Sequence, residues 1–207
     1  MIVVIDYGAG NIGSIINMCQ RLGVKVIASS DPKEIQNAKK LVLPGVGSFD
    51  LGMRKLKESN LIDVLNEKVL IDKTPILGIC LGVQLMTKSS EEGEMKGLGW
   101  FNAETVKFKI PAKQNSNFKI PHMGWNNTKF VKESQLYSSD FEEPRYYYVH
   151  SYHLKTEIKA DILCTSNHAY EFVSGLERDN IIGLQFHPEK SHKYGMKIFQ
   201  NFIHNFR

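Results

Sequence analysis

Apolar residues along the first half of this chain fall into short runs that alternate with stretches of helical spacing. Ile2, Val3, Val4 and Ile5 form a run of β-branched residues and predict a buried strand. A glycine-rich turn, Tyr7-Gly8-Ala9-Gly10-Asn11, follows, and apolar positions then recur at helical spacing over residues 12–22. Gly23 predicts the end of that helix, and residues 24–28 predict a second strand. Asp31-Pro32 predicts a helix start, with the carboxylate as cap and the proline at the first helical position. Residues 40–43 predict the next strand, which runs into Pro44-Gly45-Val46-Gly47. One helix is expected over roughly residues 51–70, a strand over 75–79 and a helix from 81 to 87.

Beyond about residue 97 the pattern changes. Strand-like runs at 104–110, 146–154, 162–166, 172–177 and 181–186 succeed one another without long helices, and a helix is predicted over 194–205. Residues 111–118 are the most loop-like stretch. A strand–helix alternation followed by such runs predicts an α/β fold. Its central sheet is mostly parallel, with helices on both faces and a mixed or antiparallel extension. With 207 residues, no internal repeat and no linker-like segment, a single domain over 1–207 is expected.

Composition narrows the function classes. The net charge is +4, and the basic residues are scattered among acidic ones. No basic stripe with interleaved aromatics suggests a nucleic-acid partner. No apolar run approaches the ~20 residues that span a bilayer. The first residues read as a strand rather than an export signal, so the cytoplasm is the expected compartment. Three cysteines without metal-ligand spacing argue against a disulfide framework, and no metal or organic cofactor is indicated.

Of the three, only Cys80 has a special context. Gly78-Ile79-Cys80-Leu81-Gly82 joins a predicted strand to a predicted helix, the pattern of a nucleophile elbow with cysteine as the nucleophile. Flanking glycines permit the tight turn, which places the sulfur at a helix N-terminus, where a thiolate is favoured. The Leu81 N–H then points to where an oxyanion would form. Cys19 lies on the apolar face of the first helix and Cys164 in a strand, so both read as core.

A second signal is His187-Pro188-Glu189 after the apolar run 181–184. In an extended segment residues i and i+2 share a side, so Glu189 can orient His187 as general base. Pro44-Gly45-Val46-Gly47 is a weaker signal: its glycines allow a backbone N–H to turn toward a developing oxyanion.

These segments occur in a familiar order, together with Pro121-His122-Met123-Gly124-Trp125-Asn126 and His150-Ser151-Tyr152. The whole chain resembles class I glutamine amidotransferases. Within them it is most similar to the glutaminase subunits of imidazole glycerol phosphate synthase, from histidine biosynthesis. The resemblance implies a catalytic triad of Cys80, His187 and Glu189 and an oxyanion hole from backbone N–H groups at Val46 and Leu81. It implies that Gly47, Gln84, Ser151 and Tyr152 hold L-glutamine. It also implies that Asn11, Met123, Trp125, Tyr147 and Lys190 meet a cyclase subunit, a (β/α)8 barrel that receives the ammonia within a heterodimer. Trp125 lies in a polar, loop-like stretch, in keeping with an interface.

Two segments depart from that subunit. Residues 168–172 and 190–196 look closer to paralogues that supply ammonia to a sugar amidotransferase in surface-glycan synthesis. A non-enzymatic alternative is a degenerate glutaminase kept as a scaffold. A cysteine peptidase or esterase would explain the elbow but not the segment 121–126.

Overall fold

The computed structural model describes residues 1–110, 118–137 and 141–206, so most of the loop-like stretch at 111–118 lies outside the described residues. The first half contains β1 (Ile2–Ile5), α1 (Ile12–Arg21), β2 (Val26–Ser29), α2 (Pro32–Gln36), β3 (Lys40–Leu43), α3 (Phe49–Glu58), α4 (Ile62–Asn66), β4 (Ile76–Ile79) and α5 (Leu81–Leu85). The second half contains β5 (Ser89–Ser90), β6 (Ala103–Lys107), β7 (His122–Phe130), β8 (Arg145–His150), β9 (Tyr152–Thr156), β10 (Ile162–His168), β11 (Tyr170–Arg178), β12 (Ile181–Leu184) and α6 (His192–Asn205).

Local chemistry accounts for several boundaries. Asp31 Oδ1 accepts the Lys33 N–H at 2.9 Å, and Pro32 opens α2 with its φ already helical. Gly23, at φ +74°, turns the chain out of α1.

The described strands form one sheet in the order β2-β1-β3-β4-β12-β11-β10-β7-β8, with β9 also pairing β11 and carrying β6 and β5. From β2 to β12 every pairing is parallel. From β12 outward to β8 the pairings are antiparallel. The class I glutamine amidotransferase-like architecture expected from the alternation is therefore present.

The period-two pattern of the strands divides the core. Val3, Ile5, Leu41 and Leu43 face one side with residues of α2, α3, α4 and α5. Ile2, Val4, Val42, Leu77 and Ile79 face the other, against α1 and α6. Phe199 and Phe202 of α6 are fully buried there, and burying each such side chain contributes roughly 1.5–3 kcal/mol.

Three expectations need correction. The helix predicted over 51–70 is two helices, α3 and α4, followed by a π-helical turn at Glu67–Ile71. Asn60 adopts φ +54° between them, which no continuous helix allows. The strand predicted over 146–154 is two strands, β8 and β9, broken at Ser151. The stretch around Trp125 is not a loop but the nine-residue strand β7.

Around β4 the backbone is packed without slack. A Cβ on Gly82 would overlap the Leu43 carbonyl oxygen, so the start of α5 rests directly on the end of β3. Gly82→Ala is expected to destabilise the chain by at least ~2 kcal/mol, read as a lowered urea midpoint. A variant as stable as the parent would show that the elbow has room to move.

Candidate active site

β4 delivers Cys80 at its C-terminal end, at the centre of the sheet, where ligand sites of open α/β sheets form. Cys80 adopts φ +54° and ψ −112°, a conformation rarely held by a residue with a side chain. Its N–H donates to Leu184 O at 2.8 Å, which ties the elbow to the neighbouring strand β12.

That strand brings the second group. Leu184 pairs with Ile79, so the segment leaving β12 passes beside Cys80. His187 is buried at 1% exposure, and its N–H donates to Tyr147 O at 2.9 Å. Pro188–Lys190 is a 3-10 turn rather than an extended segment. The turn, not strand alternation, therefore curls Glu189 back onto the ring, with His187 Nδ1 2.7 Å from Glu189 Oε1. Carboxylate oxygens accept when ionised, so Nδ1 carries the proton and Nε2 faces the nucleophile. Nε2 has no hydrogen-bond partner among the described residues. Burial pulls the imidazole toward its neutral form. Interaction with the Cys80 thiol and with Glu189 outweighs burial and raises its pKa from 6.5 to about 10.

A cavity of about 380 Å³ opens over the sulfur. Val46, Gly47, Cys80, Leu81, Gln84, Ser151, Tyr152 and His187 all line it, so every expected oxyanion and glutamine position comes together. Gly45 shows how closely the glycine-rich segment approaches. A Cβ there would sit 2.7 Å from Tyr7 Oη and 2.8 Å from Leu81 Cβ. Tyr7 Oη donates to Pro44 O at 2.7 Å, which gives the Tyr7-Gly8-Ala9-Gly10-Asn11 motif its place in the site. Gly47 adopts φ +108°.

Gln84 Nε2 lies 3.1 Å from Gln185 Oε1 and 3.4 Å from Tyr152 O. Sequence reasoning missed Glu92, which supplies a carboxylate to the cavity and accepts the Phe49 N–H at 2.8 Å. No motif surrounds Glu92; it is placed by its bond to the head of α3. A larger, open concavity of about 1150 Å³, bordered by Glu133, Glu177 and His204, contains none of Cys80, His187 and Glu189.

Four of the five expected partner residues form one patch. Met123 and Trp125 are exposed at 62% and 46% on β7, and the Trp125 ring meets Tyr147 edge-on at 6.4 Å. Lys190 Nζ sits 5.9 Å from the Tyr147 ring centroid. His192, not singled out from the sequence, stacks on Trp125 at 5.4 Å. Asn11 is exposed at the head of α1, next to Gly10, which packs on Pro44; among the described residues no aromatic contact joins it to the patch. Cys19 and Cys164 lie in the core, where burial raises their pKa values to about 11 and about 12. Such thiols are poor nucleophiles near neutrality.

A family model for class I glutamine amidotransferases matches residues 3–206. The chain belongs to the class I glutamine amidotransferase family. It is 57% identical to "Imidazole glycerol phosphate synthase subunit HisH 2" of Methanococcus maripaludis, over 98% of both chains. It is 47% identical to the protein of the same name from Pseudomonas aeruginosa, again over 98% of both. Among solved structures it resembles one described as a glutamine amidotransferase, with a TM-score of 0.74 and 14% identity over 97% of this chain and 96% of that one. This last likeness speaks for the amidotransferase fold alone. Among the described residues no helix is long and apolar enough to cross a membrane.

Proposed function

We propose that this chain is a single glutaminase domain that hydrolyses L-glutamine and passes the ammonia to a synthase partner. The partner is the cyclase subunit of imidazole glycerol phosphate synthase, in histidine biosynthesis. The observation that carries the reading is the 2.7 Å His187–Glu189 bond, which leaves Nε2 for a cysteine at the floor of a glutamine-sized cavity.

The Cys80 thiolate attacks the side-chain amide carbon of glutamine. Backbone N–H groups at Val46 and Leu81 receive the negative charge on the amide oxygen. As the tetrahedral adduct collapses, the His187 imidazolium protonates the leaving nitrogen and ammonia departs. A γ-glutamyl thioester remains on Cys80. His187, now neutral, removes a proton from water, which attacks the thioester, and glutamate leaves as the sulfur recovers its charge. The Glu92 carboxylate suits the α-ammonium group of glutamine, and Gln84, Gly47, Ser151 and Tyr152 line the rest of the cavity.

The patch of Met123, Trp125, Tyr147 and Lys190 supports a docking face for the partner, since an exposed methionine and tryptophan on β7, beside a half-buried tyrosine on β8 and a cation on the turn after β12, suit an interface. Tyr147 O also accepts the His187 N–H, so a partner pressing on β8 acts on the catalytic base through one hydrogen bond. Uncoupled hydrolysis wastes glutamine, so the partner is expected to gate the oxyanion segment. The two relatives at 57% and 47% identity carry the name of a subunit of that synthase, which supports this acceptor over a sugar amidotransferase. The assembled triad leaves the scaffold reading without a supporting observation.

Glutamate release by the purified chain is expected to rise by on the order of 10²-fold or more when the cyclase subunit and its nucleotide substrate are added, a gain typical of a completed oxyanion site. A glutamine-like chloroketone should alkylate Cys80 in the same preparation. Labelling of Cys80 without stimulation by that mixture would overturn the histidine-pathway partner. Failure of Cys80 to label at all would overturn the glutaminase reading itself.

A further inference from the structure

One wall of the glutamine cavity is backed by a group of histidines that the proposed mechanism does not use. His150 ends β8, borders the cavity, and is nearly buried, as is His122 opposite it on β7. His150 Nδ1 lies 2.7 Å from Tyr152 O, and His150 Nε2 lies 2.9 Å from His122 Nδ1. His122 Nε2 is 3.1 Å from Asn126 Nδ2, which is itself 2.8 Å from Asn167 O. The chain thus runs between two backbone carbonyls, Asn167 O and Tyr152 O.

Carbonyl oxygens only accept, and this settles the protons from both ends. At one end Tyr152 O requires a hydrogen on His150 Nδ1. At the other, Asn167 O fixes the Asn126 amide with its nitrogen inward, and its second hydrogen requires a bare His122 Nε2. A neutral His122 then carries its hydrogen on Nδ1 and donates it to a bare His150 Nε2. Every contact is satisfied in one direction, from β7 toward the cavity. A further proton on either ring would set two hydrogens against each other.

The surroundings act the same way. His168 stacks on His122 at 4.2 Å, and Phe108 covers His150 and His153 at 5.3 and 4.7 Å. Burial first, then the neighbouring histidines, lowers His122 to about 4 and His150 well below its ordinary value.

The cavity end of the chain meets a residue expected to touch glutamine. Tyr152 O also receives Gln84 Nε2, which is bonded in addition to Gln185 Oε1. The nitrogen of the Gln84 amide is therefore committed within the protein. Its oxygen, for which no protein donor is found among the described residues, is the end left for substrate.

We propose that His150, held by His122, is a positioning residue for glutamine: it fixes the Tyr152 carbonyl, and with it the Gln84 amide, through a hydrogen-bond chain with one permitted arrangement of protons. The proposal rests on the glutaminase reading and adds to it two residues that never touch the reacting atoms. It also joins the cavity wall to β7, the strand that carries Met123 and Trp125 on the docking face.

The direct test is long-range proton–nitrogen NMR on the ¹³C,¹⁵N-labelled full chain, with each ring assigned by through-bond correlation to its own backbone resonances in the parent. Both rings are expected as neutral Nδ1–H tautomers, the form less favoured by free histidine, unchanged from about pH 6 to about pH 8. A protonated ring at pH ~6, or an Nε2–H tautomer of either, overturns the chain.

The functional arm follows chloroketone labelling of Cys80 as the reagent concentration is varied. An asparagine amide nitrogen replaces Nδ1, whereas a glutamine reaches only as Nε2 does. His150→Gln and His150→Leu should raise the half-saturating concentration about tenfold, with the limiting rate little changed, because Tyr152 O loses a donor. His150→Asn should stay within about threefold of the parent. Rescue by glutamine as good as by asparagine, or no change in any variant, overturns the positioning role. Should the variants fail to fold, the tautomers of the parent chain still decide. Absence of labelling in the parent refutes the glutaminase reading and this proposal with it. Normal labelling with an Nε2–H His150 refutes this proposal alone.

Discussion

Cys80→Ala is expected to lower partner-stimulated glutamate release by on the order of 10⁴-fold or more, while the variant folds and still binds its partner. The sulfur is the only atom in the site that can form the thioester, and without it His187 has no nucleophile to serve. The fold should tolerate the change because alanine adds no volume and the strained backbone at φ +54° is held by its neighbours. The Cys80 N–H to Leu184 O bond, the β3–β4 pairing and the close approach of Gly82 to β3 do not involve the side chain. Partner binding is measured separately, by gel filtration or calorimetry, so that a lost interface is not mistaken for lost chemistry. Hydrolysis persisting near the parental rate would remove Cys80 from the mechanism, and neither Cys19 nor Cys164 is placed to replace it.

Glu189→Gln should cost on the order of 10³-fold in turnover and should also move the pH profile. Burial disfavours the charged imidazole of His187, yet the Cys80 thiol and Glu189 together carry its pKa from 6.5 to about 10. The folded value is raised, so the stabilisation is fully present below about 6.5 and is lost as pH rises through about 10. The same loss removes the acid that protonates departing ammonia, so parental activity should fall on the alkaline side near pH 10. Glutamine in place of Glu189 removes one of the raising interactions, and the alkaline limb should shift down by about one unit or more. It can also present its amide nitrogen to Nδ1 and favour the wrong tautomer. A limb that stays in place in a folded, less active variant would mean that Glu189 does not set the charge of His187.

The parts of this structure that could be read from the sequence are those in which side-chain pattern and backbone demand coincide. Ile2–Ile5, Lys40–Leu43 and Ile76–Ile79 are central strands covered on both faces, so their apolar runs are continuous. The elbow was legible because its sharp turn demands small residues around Cys80. β7 was not, because Met123, Trp125 and Lys129 point away from the core and their partners on the inner face are His122, Thr128 and glycine rather than aliphatic residues. The break at Asn60 leaves only a faint mark in the sequence: the apolar spacing slips to five residues between Leu56 and Leu61 and returns to four at Leu65. The nearness of His187 and Glu189 is legible because strand alternation would produce it too, although the 3-10 turn is what produces it here. Glu92, His192 and the proton order of the histidine chain depend on contacts between distant segments, and no local signal carries them.

The placement of β12 between β4 and β11 has a consequence for the newborn protein. Cys80 is made long before its base, which arrives only with the segment after β12. β12 cannot add to an outer edge; it must fill a slot in the middle of the sheet. The nucleophile therefore exists for much of synthesis as an unassisted thiol, unable to consume glutamine. Chemistry begins only when the last central strand is seated, so an incomplete chain cannot release ammonia before there is a partner face to receive it.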